Sequence, residues 1–379
     1  MKTMDIRTYN YKTEPYEHQL ETLARSAHKN LFALFLEMGL GKSKILLDNT
    51  AMLFEQGEIS GLLIVSPKGN LRNWDVHEIS KHLPDRIERN VLVWQPNHTQ
   101  QWTKDYERMV KEDSEGALNI FLVNVEAFAT PKACKFVEEF LVTHDAMMAI
   151  DESTTIKNPK AKRTKHLIKL APLADYRRIL TGFPITKAPL DLYSQCYFLS
   201  PNLLGFSSYY AFSARYAITQ ARRMGSHSFQ QIVGFQKLSE LQESIKDFSI
   251  RKRKEECLDL PEKVYVKRYV ELTAEQKQAY GTMKQKALMV LNEEVFSTMN
   301  ALTQIMRLQQ VVAGSLRNEE GETILLKNNR IRAVLDLLEE TSGKVVIFAI
   351  FQTDIQELER AIAEKFGKKS VASYYGKTP

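Results

Sequence analysis

The sequence predicts an α/β fold, a parallel sheet with helices on both faces, and three observations carry the prediction. Short apolar runs alternate with helix-like segments through the first half of the chain. One run ends in a glycine loop followed by Lys42-Ser43. The composition is that of a globular protein, 44% hydrophobic and 26% charged over 379 residues, long enough for about two domains.

The runs expected as strands are residues 31–36, 62–65, 91–94, 119–125, 146–150 and 178–181. Each is short and nearly continuous in apolar residues, as strands covered on both faces are. The first breaks at Gly39 and Gly41, after which residues 44–54 have helical apolar spacing. Strand, glycine loop, Gly-Lys-Ser and helix form a phosphate-binding arrangement. Backbone N–H groups of Met38, Gly39, Leu40 and Gly41 would approach the phosphates, with the helix N-terminus adding partial positive charge. Lys42 would reach the β- and γ-phosphates, and the Ser43 hydroxyl would ligate Mg²⁺. The strict pattern has glycine where this chain has Leu36.

Residues 147–150 are an apolar run ending in Asp151-Glu152. In a phosphate-loop ATPase such an aspartate holds Mg²⁺ and the glutamate orients or deprotonates the attacking water. Next, Ile179-Leu-Thr-Gly-Phe-Pro184 breaks from strand into turn, which would set Thr181 and Gly182 at the same sheet edge. Upstream, the Gln19 amide can donate to and accept from an adenine edge at once, a way to select ATP. Taken singly, these features are a solvated acidic cap, an ordinary strand exit and a polar helix start. The phosphate loop is what joins them.

From about Pro201 the rhythm changes to polar, helix-like segments with a basic run, Arg251-Lys-Arg-Lys254. The run invites a nucleic-acid reading, but Glu255-Glu256 follow at once and short basic runs are more often solvated. A break at Pro261 leads to a strand-like stretch, 264–270, then a helical stretch over 273–313. Residues 344–350 read as a buried strand, 353–366 as an amphipathic helix and 370–375 as a further strand. Thr378-Pro379 reads as a helix N-cap with proline at the first helical position. The expected domains are a nucleotide-binding lobe (1–200), a helical insertion with a basic return segment (201–262), and linker helices with the truncated start of a second lobe (263–379).

No run approaches the roughly 18 apolar residues that span a bilayer. The first ten residues lack the apolar core of a signal peptide. Three scattered cysteines, in no metal or redox spacing, fit a reducing, cytoplasmic setting. The net charge of +6 is compatible with a nucleic acid partner without requiring one.

In order, these segments resemble the motor motifs of superfamily 2 helicases, and specifically the SNF2 (Swi2/Snf2-like) family. Tyr16-x-x-Gln19 is similar to its adenine-reading motif, and Glu37-Met-Gly-Leu-Gly-Lys-Ser43 to motif I. Leu63-Ile-Val-Ser-Pro67 with Asn73-Trp74 resembles motif Ia, and Asp151-Glu-Ser-Thr-Thr-Ile-Lys-Asn158 resembles motif II. Leu180-Thr-Gly-Phe-Pro184, trailed by Pro189-Leu-Asp-Leu-Tyr193 and Gln195, resembles motif III. Residues 248–263 look like the family's basic segment ending in Leu-Pro-x-Lys, and 344–350 like motif IV. Gly234-Phe-Gln-Lys-Leu-Ser-Glu-Leu241 is closest to the branch holding annealing helicases and phage SNF2-like proteins.

There are departures. Ser153 stands where many relatives have Ala or Cys, Thr154 where His is common, and Phe183 where Thr is usual. Glu78 falls one residue late against the usual Trp-x-x-Glu. Motifs V and VI, the second supplying an arginine to the γ-phosphate, have no match in the 379 residues.

The resemblance implies two RecA-like lobes, ATP and Mg²⁺ between them, and DNA, duplex or branched, as partner. It implies that Ser66, Pro67 and Lys68 meet a phosphate backbone, although Lys68 alone would read as a solvated lysine. Trp74 is read as core rather than as a stacking platform. The activity expected is ATP hydrolysis coupled to movement on DNA, low in this chain by itself unless another polypeptide supplies the rest of the second lobe. An RNA-directed ATPase, or a non-hydrolysing DNA-binding remnant or scaffold, are the alternatives. A prokaryotic or phage-infected cell is the expected setting.

Overall fold

Odd and even positions of each apolar run go to opposite faces of one sheet. Phe35, Leu63, Phe121, Met148 and Ile179 lie on one side, while Phe32, Leu62, Ile120, Met147 and Leu180 lie on the other. Both sides are buried, which is why the runs are apolar at every position rather than at alternate ones. The computed structural model describes residues 5–111, 116–224, 227–292, 298–317 and 322–376, which divide into two units, Met1–Pro261 and Glu262–Pro379.

In the first unit the strands are β1 (Leu31–Leu36), β2 (Gly61–Ser66), β3 (Glu88–Val93), β4 (Ala117–Asn124), β5 (Ala146–Asp151) and β6 (Tyr176–Leu180). A further parallel strand comes late, after a hairpin of β7 (Ala217–Met224) and β8 (His227–Phe235): β9 (Ser249–Lys252) pairs with β1. The sheet order is β3-β4-β2-β5-β6-β1-β9, parallel throughout. Helices α1 (Glu17–Ser26) and α2 (Lys42–Glu55) cover one face. α3 (Lys68–Asn73) and α4 (Ile79–His82) join them, the first through Leu71 and the second through Ile79. α5 (Gln100–Lys111), α6 (Pro131–Thr143), α7 (Lys162–Leu170), α8 (Leu192–Leu199) and α9 (Tyr209–Tyr216) cover the other. This is the layering of a RecA-like lobe.

Between α3 and α4 the backbone makes a π-helical turn, Trp74–Glu78, with the Ile79 N–H bonded to the Trp74 carbonyl. That turn absorbs one residue more than an α-helical turn would. It takes up the extra position in the Trp-to-Glu spacing and brings the Glu78 carboxylate 3.1 Å from the Asn73 amide.

Arg178 carries the packing of four segments. It is 1% exposed. Its guanidinium donates to Asn49 Oδ1 on α2 (3.0 and 3.2 Å), to Ser26 O at the end of α1 (3.0 Å), and to Asn30 O ahead of β1 (3.1 Å). A buried cation is tolerable only when its donors are all spent in this way.

The stretch expected as a helical insertion, 201–262, differs from that reading. It contains α9, the antiparallel β7–β8 hairpin, the short α10 (Leu238–Ser244), and then β9. Apart from the buried Ala217, the described hairpin side chains are polar or half-exposed, Ile232 and Phe229 included, so no buried period-2 pattern marks them in the sequence.

In the second unit the helical stretch is confirmed as two helices, Ala274–Asn292 and Thr298–Ala313, with residues 293–297 outside the described ones. The buried Gln276 amide ties them, donating to Val311 O (2.9 Å) and Val312 O (3.2 Å). Helices Arg330–Glu340 and Gln352–Phe366 follow a small antiparallel pair, Ser315–Arg317 with Thr323–Leu325. The strands expected at 264–270, 344–350 and 370–375 are not formed. Tyr265, Tyr269 and Phe348 are 87%, 90% and 93% exposed. A parallel strand exists only when a neighbour takes its backbone hydrogen bonds, and among the described residues of this unit none of these runs has one. Thr378-Pro379 lies outside the described residues.

Candidate nucleotide-binding site

The sheet order sets the carboxyl ends of β2, β5, β6, β1 and β9 side by side. The segments leaving those ends are Ser66–Lys68, Asp151–Glu152, Thr181–Gly182, Glu37–Ser43 and Arg253–Lys254. Open α/β sheets bind ligands at this edge. Residues scattered over some 200 positions thereby share one rim.

Gly41 has φ +79°, a backbone shape that side chains rarely adopt, and a Cβ there would sit 2.2 Å from Gln19 Nε2. Gln19 is therefore packed directly beneath the loop. Its Oε1 accepts the Tyr16 N–H (3.0 Å) and its Nε2 donates to Leu40 O (3.2 Å). One N–H and one lone pair of the amide remain. Leu36, where the strict pattern has glycine, ends β1 fully buried and offers its carbonyl to Lys42 Nζ at 3.0 Å. Burial lowers the Lys42 pKa, against the pull of Glu152, Asp151 and Glu37, while Lys254 pushes it further down. Among the described residues the half-buried Ser43 hydroxyl has no hydrogen-bond partner.

Asp151 ends β5 and accepts three donors. Ser66 Oγ and Trp74 Nε1 both reach Oδ2 at 3.0 Å, and the Glu152 N–H reaches Oδ1 at 3.0 Å. Glu152 stands in the left-handed region (φ 49°, ψ 58°), a strained shape for this residue type and one typical of functional turns. The turn aims its carboxylate at Thr181, whose hydroxyl donates to Glu152 Oε2 at 3.3 Å. Burial raises the Glu152 pKa, the neighbouring Asp151 raises it further, and Lys42 opposes them. Gly182 closes the rim: a Cβ there would lie 3.3 Å from the Met38 nitrogen and 3.4 Å from the Leu36 oxygen. The Phe183 N–H donates to Thr181 Oγ1 at 3.3 Å, and the Phe183 ring points outward, 56% exposed. Ser153 is fully buried and its hydroxyl donates to Gln195 Oε1 at 2.7 Å. Gln195 in turn donates to Pro184 O at 2.8 Å, joining the turn after Glu152 to the one after Thr181.

Two placements differ from expectation. Ser66, expected to meet a phosphate backbone, is 0% exposed and its hydroxyl is committed to Asp151. Only Pro67, half-buried, and Lys68, exposed, remain on the surface there. The basic run is not uniformly solvated, because Lys254 lies over the phosphate loop. Trp74 is core, 1% exposed, as expected, but its indole N–H also holds Asp151. The one sequence signal for that role is general: a buried tryptophan N–H needs an acceptor.

The oxygen-only donors at the rim fit Mg²⁺. A carboxylate offers about four lone-pair sites, and three donors occupy three on Asp151, leaving one on Oδ1. Mg²⁺ is commonly held by one or two carboxylates together with phosphates and water, which is what Asp151 and Ser43 can provide.

Residues 18–315 match the family model described as SNF2-related domain. The chain is 27% identical over 248 residues to the ATP-dependent helicase fft2 of Schizosaccharomyces pombe, covering 65% of this chain and 18% of that protein. It is 25% identical over 337 residues to the uncharacterized ATP-dependent helicase MG018 of Mycoplasma genitalium, covering 86% of this chain and 29% of that protein. The chain thus spans under a third of these relatives' length. Among solved structures, the Sulfolobus solfataricus SWI2/SNF2 ATPase core in complex with dsDNA aligns with a TM-score of 0.52 at 24% identity. That alignment covers 97% of this chain and 73% of the other, a likeness of fold.

Proposed function

The chain belongs to the SNF2-related domain family, and from that premise we propose that it is the ATP-binding part of a motor that couples ATP hydrolysis to movement on duplex or branched DNA. The observation that carries the reading is the meeting of Lys42, Asp151, Glu152 and Thr181 at one sheet edge, with Glu152 raised in pKa by burial.

In this reading Lys42 leaves the Leu36 carbonyl for the β- and γ-phosphates, where its charge opposes theirs. Met38, Gly39, Leu40 and Gly41 present backbone N–H groups to the same oxygens. Ser43 and Asp151 would hold Mg²⁺, which when bound would neutralise phosphate charge. Glu152 orients the attacking water and accepts its proton, a task its raised pKa suits. Thr181 fixes the carboxylate that does this, and Gly182 lets the β6 turn lie against the loop. Gln19 reads adenine with its remaining N–H and lone pair.

On the DNA side, Pro67 and Lys68 meet the phosphate backbone. Ser66 contributes by tying the end of β2 to Asp151, so the strand end that carries the DNA contacts is bonded to the metal-side carboxylate. The resemblance implies a cleft arginine reaching the γ-phosphate from a second lobe, a group worth on the order of 10³–10⁵ in rate. We expect turnover by this chain to rise when such a group is supplied.

The test measures ATP binding and hydrolysis with and without duplex DNA, beside Lys42→Ala and Glu152→Gln. The expected result is Mg²⁺-dependent ATP binding lost in Lys42→Ala and kept in Glu152→Gln. Turnover should be slow, stimulated by duplex DNA, and reduced by a further factor of about 10²–10⁴ in Glu152→Gln. Stimulation by RNA instead of DNA would move the chain to an RNA-directed class. ATP binding unchanged by Lys42→Ala would overturn the reading.

A further inference from the structure

The return segment after the hairpin delivers a second cation to the phosphate loop. β9 is an edge strand parallel to β1, and its end is fastened to the start of the loop twice. The Glu37 N–H donates to Lys252 O at 3.0 Å, and the Lys254 N–H donates to Glu37 Oε2 at 3.0 Å. From that anchored backbone the Lys254 side chain runs across Gly39. A methyl group built on Gly39 would lie 3.4 Å from Lys254 Cε and 3.6 Å from its Nζ.

The neighbouring cations of the basic run are differently engaged. Lys252 Nζ binds Glu21 Oε2 at 2.6 Å, and Arg253 donates to Glu255 Oε1 at 3.2 Å. Among the described residues the Lys254 ammonium has no carboxylate partner, and it lies over the same glycine loop that precedes Lys42. Two like charges facing one glycine loop repel each other, and the arrangement is relieved by an anion set between them. A loop of backbone N–H groups is shaped for such an anion.

We propose that Lys254 is a phosphate-binding residue of the nucleotide site, acting beside Lys42 on the phosphate chain of a nucleoside di- or triphosphate. The proposal rests on the phosphate-loop reading above. Its further content is that the segment after the 201–248 excursion contributes to nucleotide binding, and that its contribution follows the phosphates and not the base. Removing the ammonium should weaken ATP and ADP and leave adenosine alone.

The test is equilibrium binding of fluorescent ATP and ADP to the 379-residue chain with Mg²⁺, with adenosine measured by competition. Lys254→Ala should weaken ATP and ADP by about tenfold, the scale of one charge-assisted hydrogen bond. Lys254→Arg should recover most of that loss because the charge is kept. Arg253→Ala should bind as the parent does. Lys254→Gln, which keeps the side-chain length, replaces the alanine variant if thermal unfolding shows that variant to be damaged. Unchanged ATP affinity in the variant without the charge overturns the proposal, as does an equal loss for adenosine. A parent chain that binds no ATP removes the phosphate-loop reading itself, and this proposal with it.

Discussion

The two units are written in the same apolar vocabulary and end differently. Residues 146–150 and 344–350 are both short aliphatic runs preceding polar segments. The first is β5, between β2 and β6, every side chain fully buried. The second forms no strand, with Val346 77% and Ile350 80% exposed. The difference lies in neighbours. β5 finds a parallel partner on each side and a helical layer on each face, whereas among the described residues of the second unit 344–350 has no strand beside it. An apolar run specifies a preference for burial, and the partner strands decide whether that preference is met.

The largest effect that could break this comparison is a matched pair of truncations. Phe121→Ala, in β4 and fully buried, should cost about 3–5 kcal/mol in urea unfolding. Phe348→Ala, 93% exposed, should stay within about 0.5 kcal/mol. Similar costs would mean that 344–350 is packed after all.

A smaller change tests whether burial in the first unit also serves the site. Trp74→Phe keeps the ring in the core and removes the only indole donor on Asp151 Oδ2. Losing a hydrogen bond to a charged acceptor costs about 1.5–3 kcal/mol. The expected readout is a higher Mg²⁺ requirement for ATP binding, by about tenfold, with little change in metal-free nucleotide affinity. An unchanged Mg²⁺ titration would reduce Trp74 to packing alone.

A third effect is a pH dependence that arises in the first unit. Burial, with Lys44, Lys81 and Lys12 nearby, lowers His82 from 6.5 to about 4, while its Nδ1 sits 2.8 Å from the Thr13 hydroxyl. The Glu78 carboxylate, 3.8 Å from Nε2, does not offset this. The folded chain holds that proton less tightly than the unfolded one. The associated stability is therefore complete above pH 6.5 and is lost as pH falls through the interval down to about 4. Unfolding midpoints measured from pH 7 to 4 should fall, and His82→Asn should flatten the lower part of the curve. An identical slope in that variant would assign the acid sensitivity to other groups.

Much of the site was legible because its signals are local. Gly39, Gly41, Lys42 and Ser43 are adjacent in the chain, and the apolar run before Asp151-Glu152 announces a strand that ends there. The placements of Trp74 and Lys254 were not legible. Trp74 is 77 residues from the carboxylate it holds. Lys254 reaches the loop only because β9 joins the sheet beside β1, more than 200 residues later. The direction of the Ser66 hydroxyl was not legible either: it sits at a strand end as expected, but that it turns toward Asp151 depends on the strand next door.

By itself the sequence determined the periodicity of the strands in the first unit, the glycine loop with its lysine, and the acidic pair, since each depends on residues within one turn or one strand of each other. Only the tertiary structure decided the strand order, and with it which side chains meet. That order placed β9 beside β1 and Trp74 under Asp151, and it left 344–350 without a partner. Hydrogen-bond pairing between strands is non-local, so no single run can encode its neighbour.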